Sequence, residues 1–385
     1  VSNWLKISHI SAGFIAVLVG YSSSVAIIFQ AANAAGATPS QLNSWMWALG
    51  IGMGLSCIGL SLRYRSPVLT AWSTPGAALL ATSLTGLTMG QATGVFLFSS
   101  VLILLSGITG WFQKLMQYMP RHIAAAMLAG ILLRFGMDLF SAMQTQLTLV
   151  LIMFATFLVG RVMLPRYTVP LALATGIVSA GLLGLLHLEQ LSWAPAMPVF
   201  MKPEFSLSAM IGVGIPLFIV TMTSQNVPGL AVLRANGYQT PASPLIGWTG
   251  ALGVVLAPFG GFAFNLAAIT AAICMSRDAD ADPAQRYKAS VWAGMFYLLT
   301  GIFGAAVVAL FAAFPSELIA AIAGLALIGT IGNSLSAALE DANGREAALV
   351  TFLCTTSGVT ILGVGSAFWG LVFGMAVHAL IRRKQ

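Results

Sequence analysis

Long apolar runs separated by short polar clusters dominate this chain, and the runs have the length of a lipid bilayer. No Asp, Glu, Lys or Arg occurs from Ile7 to Leu62, nor from Ser66 to Gln113. A helix needs roughly 20 apolar residues to cross about 30 Å of hydrocarbon, so each of these runs holds two spans. Further apolar segments fall at 120–140, 145–163, 168–188, 207–233, 242–257, 260–276, 286–313, 317–339, 345–360 and 366–381. The pattern predicts an all-α integral membrane protein with about 14 transmembrane segments. Composition agrees: 58% of the 385 residues are hydrophobic and 7% are charged, too few charges to solvate a soluble domain of this size.

The net charge of +7 could suggest a nucleic-acid partner, but its placement does not. With a cytoplasmic N-terminus and that span count, 15 of the 17 basic residues fall in cytoplasmic loops. They are Lys6, Arg63, Arg65, Lys114, Arg121, Arg161, Arg166, Arg234, Arg277, Arg286, Lys288, Arg345, Arg382, Arg383 and Lys384. Lys202 falls outside and Arg134 within a span. This is the bias that orients multi-pass proteins, and it puts both termini in the cytoplasm. Cys57, Cys274 and Cys354 lie far apart in apolar segments and are expected to pack as small hydrophobes. Ala32-Asn33-Ala34 resembles a signal-peptide cleavage site, but the apolar run before it is too long for one.

The chain also aligns with itself at a spacing of 202 to 203 residues. Thr38-Pro39 matches Thr240-Pro241, and Trp45 with Ala48-Leu49-Gly50 matches Trp248 with Ala251-Leu252-Gly253. Ala129-Gly130 and Ser141-Ala142 resemble Ala323-Gly324 and Ser336-Ala337. Seven spans per half is odd, so the halves would enter the membrane from opposite sides, as an inverted repeat. The boundaries are 1–188, an external linker at 189–206 carrying Glu189, Trp193, Lys202 and Glu204, and 207–385.

Transporters of this plan bind substrate where helices are broken near the midplane. The third span reads Pro67 to Trp72, extended and partly β-branched, then Ser73-Thr74-Pro75-Gly76, a helix N-cap followed by Pro. The tenth reads Pro258-Phe259-Gly260-Gly261-Phe262-Ala263-Phe264 and then Asn265-Leu266, with Asn265 as the expected N-cap. Two facing half-helix N-termini would offer free N–H groups and positive dipole ends, an anion site made largely of backbone. The first and eighth spans add Tyr21, Ser22, Gln225 and Asn226. Phe262, Phe264, Trp72 and Tyr21 are candidates for an aromatic slot. Arg134 and Asp138, spaced i, i+4, are the candidate proton-coupling pair, although mutual pairing explains them equally well. His122 is expected at the interface and His378 in the last span; His9 and His187 carry no signal. No metal cluster, nucleophile elbow, P-loop or dinucleotide fingerprint is legible, which points away from an enzyme and from a cofactor.

The strings VLTAWSTPGAALL (68–80), AAAMLAGILLRFG (124–136), SQNVPG (224–229), AAITAAIC (267–274) and GSAFWGL (365–371) resemble the benzoate/proton symporter family, BenE, across essentially the whole chain. The resemblance implies a bacterial inner-membrane protein related in fold to nucleobase permeases and sulfate-type anion transporters. It further implies a core domain, 1–114 plus 207–314, and a gate domain, 115–188 plus 315–385, often dimerised through the gate. Nucleobase permeases carry acids in the eighth and tenth spans, where this chain has Gln225, Asn226 and Asn265. Replacing acids by amides between positive helix ends suits an anion. The function expected is proton-coupled import of benzoate or a similar aromatic carboxylate, bound by Ser73, Thr74, Gly76, Gln225, Asn226, Phe264, Asn265, Leu266, Ser22 and Tyr21. Alternatives are another small organic anion, a nucleobase-like compound, or an uncoupled anion channel.

Overall fold

The computed structural model describes residues 4–111, 120–187, 195–362 and 364–382. Lys114, Glu189, Trp193, Arg383 and Lys384, named above, lie outside the described residues. Helices occupy most of the described residues and follow the predicted apolar segments, although 286–313 divides into two helices. The first half has α1 (Ile7–Ala34), α2 (Pro39–Tyr64), strand β1 (Thr70–Trp72) with α3 (Thr74–Ser83), α4 (Met89–Thr109), α5 (Arg121–Ser141), α6 (Leu147–Met163) and α7 (Thr168–Leu182). The second half has α8 (Leu207–Arg234), α9 (Ala242–Leu256), strand β2 (Phe264–Leu266) with α10 (Ile269–Cys274), α11 (Tyr287–Ile302), α12 (Gly304–Ala312), α13 (Ser316–Leu339), α14 (Arg345–Ser357) and α15 (Ser366–Arg382). Among the described residues, seven helices are long and apolar enough to cross a membrane, or eight if α11 and α12, bent by 66° at their junction, count as one span.

Local chemistry sets several boundaries. Thr38 and Thr88 open α2 and α4 with reciprocal capping boxes to Gln41 and Gln91. Helix α8 contains two π turns, Met210–Gly214 and Met222–Asn226, and each is followed two residues later by a proline, Pro216 or Pro228. A proline ring displaces the backbone one turn before it and lacks an N–H, and a widened turn accommodates both effects.

The long helices pair across the two halves of the chain. Helix α2 packs along α11, α4 along α9, and α5 along α13, while α6 pairs with α7 and α14 with α15. Glycines set the closest approaches: a Cβ on Gly50 would lie 2.4 Å from Gly301 Cα, and one on Gly107 would lie 2.3 Å from Gly247 N. Small residues let backbones meet where lipid gives no hydrophobic drive for association. At the start of α1, Asp280 from the loop after α10 accepts from Lys6 Nζ at 2.9 Å and lies 2.7 Å from His9 Nε2. Burial would raise the Asp280 pKa, but these bonds and the Asp282 N–H outweigh burial and hold it below the usual carboxylate range. His122, at the start of α5, is buried against His378, with ring centroids 5.0 Å apart. Gly344 makes room for it, since a Cβ there would sit 2.9 Å from the ring.

The two broken segments meet as strands. β1 and β2 pair antiparallel, Thr70 opposite Leu266, Ala71 opposite Asn265 and Trp72 opposite Phe264. The ladder extends through Ser73 N–H to Ala263 O at 3.1 Å and Ala267 N–H to Leu69 O at 2.9 Å. Asn265 is therefore a strand residue and not the N-cap expected from its side chain; α10 begins at Ile269, after Ala268. Pairing with β1 satisfies backbone groups that an earlier helix start would have left to a cap.

Candidate substrate site

The paired strands carry α3 and α10 into the middle of the molecule. Ser73 Oγ accepts from Gly76 N–H at 3.0 Å and caps α3, which starts at Thr74 with Pro75 in its first turn. α10 has no side-chain cap, so its first N–H groups stay uncommitted to side chains. Side chains from α2 and α8 lock the strands. Thr70 Oγ1 contacts Ser56 Oγ and donates to Met53 O at 3.2 Å, and Asn226 Oδ1 accepts from Leu266 N–H at 2.9 Å. No water is required at these backbone groups, which a span within hydrocarbon demands.

In front of the strand ends lies a cavity of about 1000 Å³. One wall comes from α1, β1, α3, the second π turn of α8, α10 and α11; the other comes from α5, the start of α7 and the C-terminal half of α13. Its deep end is formed by Gly20, Trp72, Thr74 and Tyr297, and it runs toward Arg121, Pro165, Ser276 and Ala337. The latter group marks one face of the molecule, because α5 and α7 start there and α10 and α13 end there. The opposite ends of α5, α7 and α13 contribute nothing to the lining, whereas α10 lines it along its length from Ile269. Among the described lining residues, Arg121 is the one with a formal charge, and no carboxylate or imidazole is present.

Of the residues singled out from sequence, Trp72, Thr74 and Gln225 line this cavity. Gln225 faces it because the π turn presents Thr223, Ser224 and Gln225 consecutively. Ser73 and Gly76 lie just behind, committed to the cap. Tyr21 stacks edge-on against Trp72 at 4.9 Å, and Ser22 bonds back to Val19 O. Asn226, Asn265 and Leu266 belong to the strand scaffold; Asn265 Nδ2 donates to Ala263 O at 2.9 Å, and its Oδ1 has no partner among the described residues. Phe264 packs on Gly52, and Phe262 joins Trp45 and Phe96 in a separate aromatic cluster. The expected slot is thus reduced to Trp72, whose Nε1–H donates to Ser24 Oγ at 2.8 Å. Its place is completed by Tyr297, Thr270, Thr330 and Asn333, which sequence reasoning passed over. Arg134 and Asp138 are both exposed, 4.0 Å apart, and do not line the cavity.

Residues 3–380 match the family described as benzoate membrane transport protein, BenE. The chain belongs to the BenE family. It is 50% identical over 370 residues to the inner membrane protein YdcO of Escherichia coli K12, covering 96% of this chain and 95% of that one. It is 40% identical over 380 residues to the benzoate membrane transport protein of Acinetobacter baylyi, covering 99% and 96%. Among solved structures, it superposes on the transmembrane domain of the cyanobacterial bicarbonate transporter BicA with a TM-score of 0.63 at 14% identity, over 97% of this chain and 96% of that one. It superposes on SLC26A9 with a TM-score of 0.62 at 13% identity, covering 97% of this chain and 65% of that longer one. This BenE-family chain is a multi-pass membrane transporter and not an enzyme, on the fold these anion transporters share.

Proposed function

We propose that the chain is a secondary transporter that carries benzoate or a similar aromatic carboxylate across the bacterial inner membrane together with a proton. The charge of the cavity carries this reading: its described lining has one cation and no anion, and two helix starts flank its deep end. The substrate carboxylate sits at Thr74 and the first turn of α10, where N–H groups and positive dipole ends converge. Its ring lies against Trp72 and Tyr297, with Gln225 at the edge. The name of the Acinetobacter relative agrees with this chemistry.

Several features support the larger architecture. The crosswise pairing of α2 with α11 and α4 with α9 fits a pseudo-two-fold inverted repeat of seven plus seven segments. The cavity between its two walls fits a core domain moving against a gate. Its open face bears the basic loops at Arg63–Arg65, Arg161, Arg277 and Arg345, so the positive-inside bias makes that face cytoplasmic and the conformation inward-facing.

An inside-negative potential opposes entry of an anion by about 2.3 kcal/mol per 100 mV, so accumulation needs a co-transported cation. With no carboxylate or imidazole in the described lining, the proton travels on the substrate carboxyl or on water beside it. Counterflow of labelled benzoate in proteoliposomes, competed by a panel of aromatic acids, amides and nucleobases, tests the reading. Exchange competed by nucleobases and indifferent to aromatic acids would overturn it.

A further inference from the structure

Arg121 is the one basic residue among the described lining of the cavity, whereas Arg63, Arg161 and Arg277 of the same face do not line it. Arg65 donates to Tyr287 Oη, Arg286 to the carbonyls of Asp280 and Met275, Arg345 to Leu339 O, and Lys6 is paired with Asp280. Arg121 has no ion pair among the described residues, and its side chain is exposed yet turned along the cavity wall. It heads a stripe on α5 that continues through Ala124, Ala125 and Leu128, the i+3, i+4 and i+7 positions of one helix face. Across from that stripe, α13 presents Thr330, Asn333, Ser334 and Ala337 with similar spacing. Both stripes are small or uncharged, so they leave the guanidinium undisturbed by competing charge. The Asp341 carboxylate, beyond the end of α13 and outside the cavity lining, accepts from Asn343 N–H.

We propose that Arg121 is a carboxylate-docking residue at the mouth of the cavity. It draws the substrate anion from the solution on that face and holds it before it passes inward to Thr74, or as it leaves. This rests on the reading of the substrate as a carboxylate. A cleft with low-dielectric walls and charge of one sign concentrates field lines and raises the local concentration of the opposite ion. The planar, permanently charged guanidinium also matches a carboxylate in two-point geometry. A residue serving only to orient the chain would sit against lipid headgroups, not along the passage.

The test uses the full chain in proteoliposomes, with half-saturation for benzoate counterflow measured at about 0.01 M and about 0.15 M salt, where the screening length falls from about 30 Å to about 8 Å. The unaltered protein is expected to lose several-fold in apparent affinity over that range. Arg121→Gln is expected to raise half-saturation about tenfold at low salt and to flatten the salt dependence, while Arg121→Lys keeps most of both. Ala125→Glu, which puts an anion one turn along the stripe, should act like Arg121→Gln and serves if that variant does not fold. Benzoate exchange with unchanged salt dependence in Arg121→Gln, or in Ala125→Glu in its place, overturns the docking role alone. Absence of benzoate exchange by the unaltered protein overturns the substrate reading and the docking role with it.

Discussion

Thr74→Asp separates the stability of the half-helix from its use as an anion site. Thr74 is the first residue of α3, immediately after the Ser73 cap, and it lines the deep end of the cavity. A carboxylate in a helix's first turn is favourable for the helix itself by about 0.3–1 kcal/mol. The same carboxylate would lie beside the bound substrate anion. Two unit charges about 5 Å apart at an effective dielectric of about 20 repel by about 3 kcal/mol, or roughly two hundredfold in affinity. Water entering from the open face raises the effective dielectric, and doubling it still leaves about 1.7 kcal/mol, more than tenfold. The variant should therefore melt no earlier than the parent in detergent, yet exchange benzoate with half-saturation raised at least tenfold. Thr74→Asn, matched in shape, should lose far less. Unchanged half-saturation in a well-folded Thr74→Asp protein would refute the placement of the carboxylate at α3.

Cysteines introduced at Arg63 and Arg277 should be shielded from an impermeant thiol reagent in intact cells, and one at Lys202 should be labelled; the reverse pattern would invert the topology and the assignment of the open face. Asn226→Ala removes the acceptor for the Leu266 N–H, leaving a buried donor unpaired at a cost of about 1–3 kcal/mol; a thermal scan with no shift would mean that the strand finds another partner. Asp138→Asn should retain both exchange and accumulation driven by an imposed pH gradient, since the carboxylate is exposed and away from the cavity. Loss of accumulation with exchange intact would make Asp138 the proton carrier.

The parts legible from sequence were those written in local chemistry. Ser73 ahead of Pro75 announces a helix start, and the structure has the cap there. The ends of the first charge-free run, Ile7 and Leu62, fall within two residues of the start of α1 and the end of α2. Asn265 shows where local reading stops. Its side chain is a good cap, but Ala71, nearly 200 residues earlier, claims its backbone, and no propensity encodes a partner that distant. Trp45 and Trp248 match in the repeat, yet the first is fully buried and the second 60% exposed, because only one meets the Phe96–Phe262 cluster. Tyr297, Thr330 and Asn333 sit in unbroken helices and gave no interruption to notice. The spacing of Thr330, Asn333, Ser334 and Ala337 on one face of an otherwise apolar helix was the available signal.

The β1–β2 ladder also bears on how the protein is made. Synthesis proceeds from the N-terminus, so Thr70–Trp72 is complete long before Phe264–Leu266 exists. Until then its strand edge has no partner, and exposed peptide groups are not tolerated in hydrocarbon. The first half therefore cannot finish folding alone. It must wait with this segment sheltered by neighbouring helices or water, and it becomes competent only when the second half arrives to close the ladder. Closing the ladder also sets α3 and α10 beside the cavity, so a chain truncated before Phe264 is expected to lack both the finished fold and the cavity.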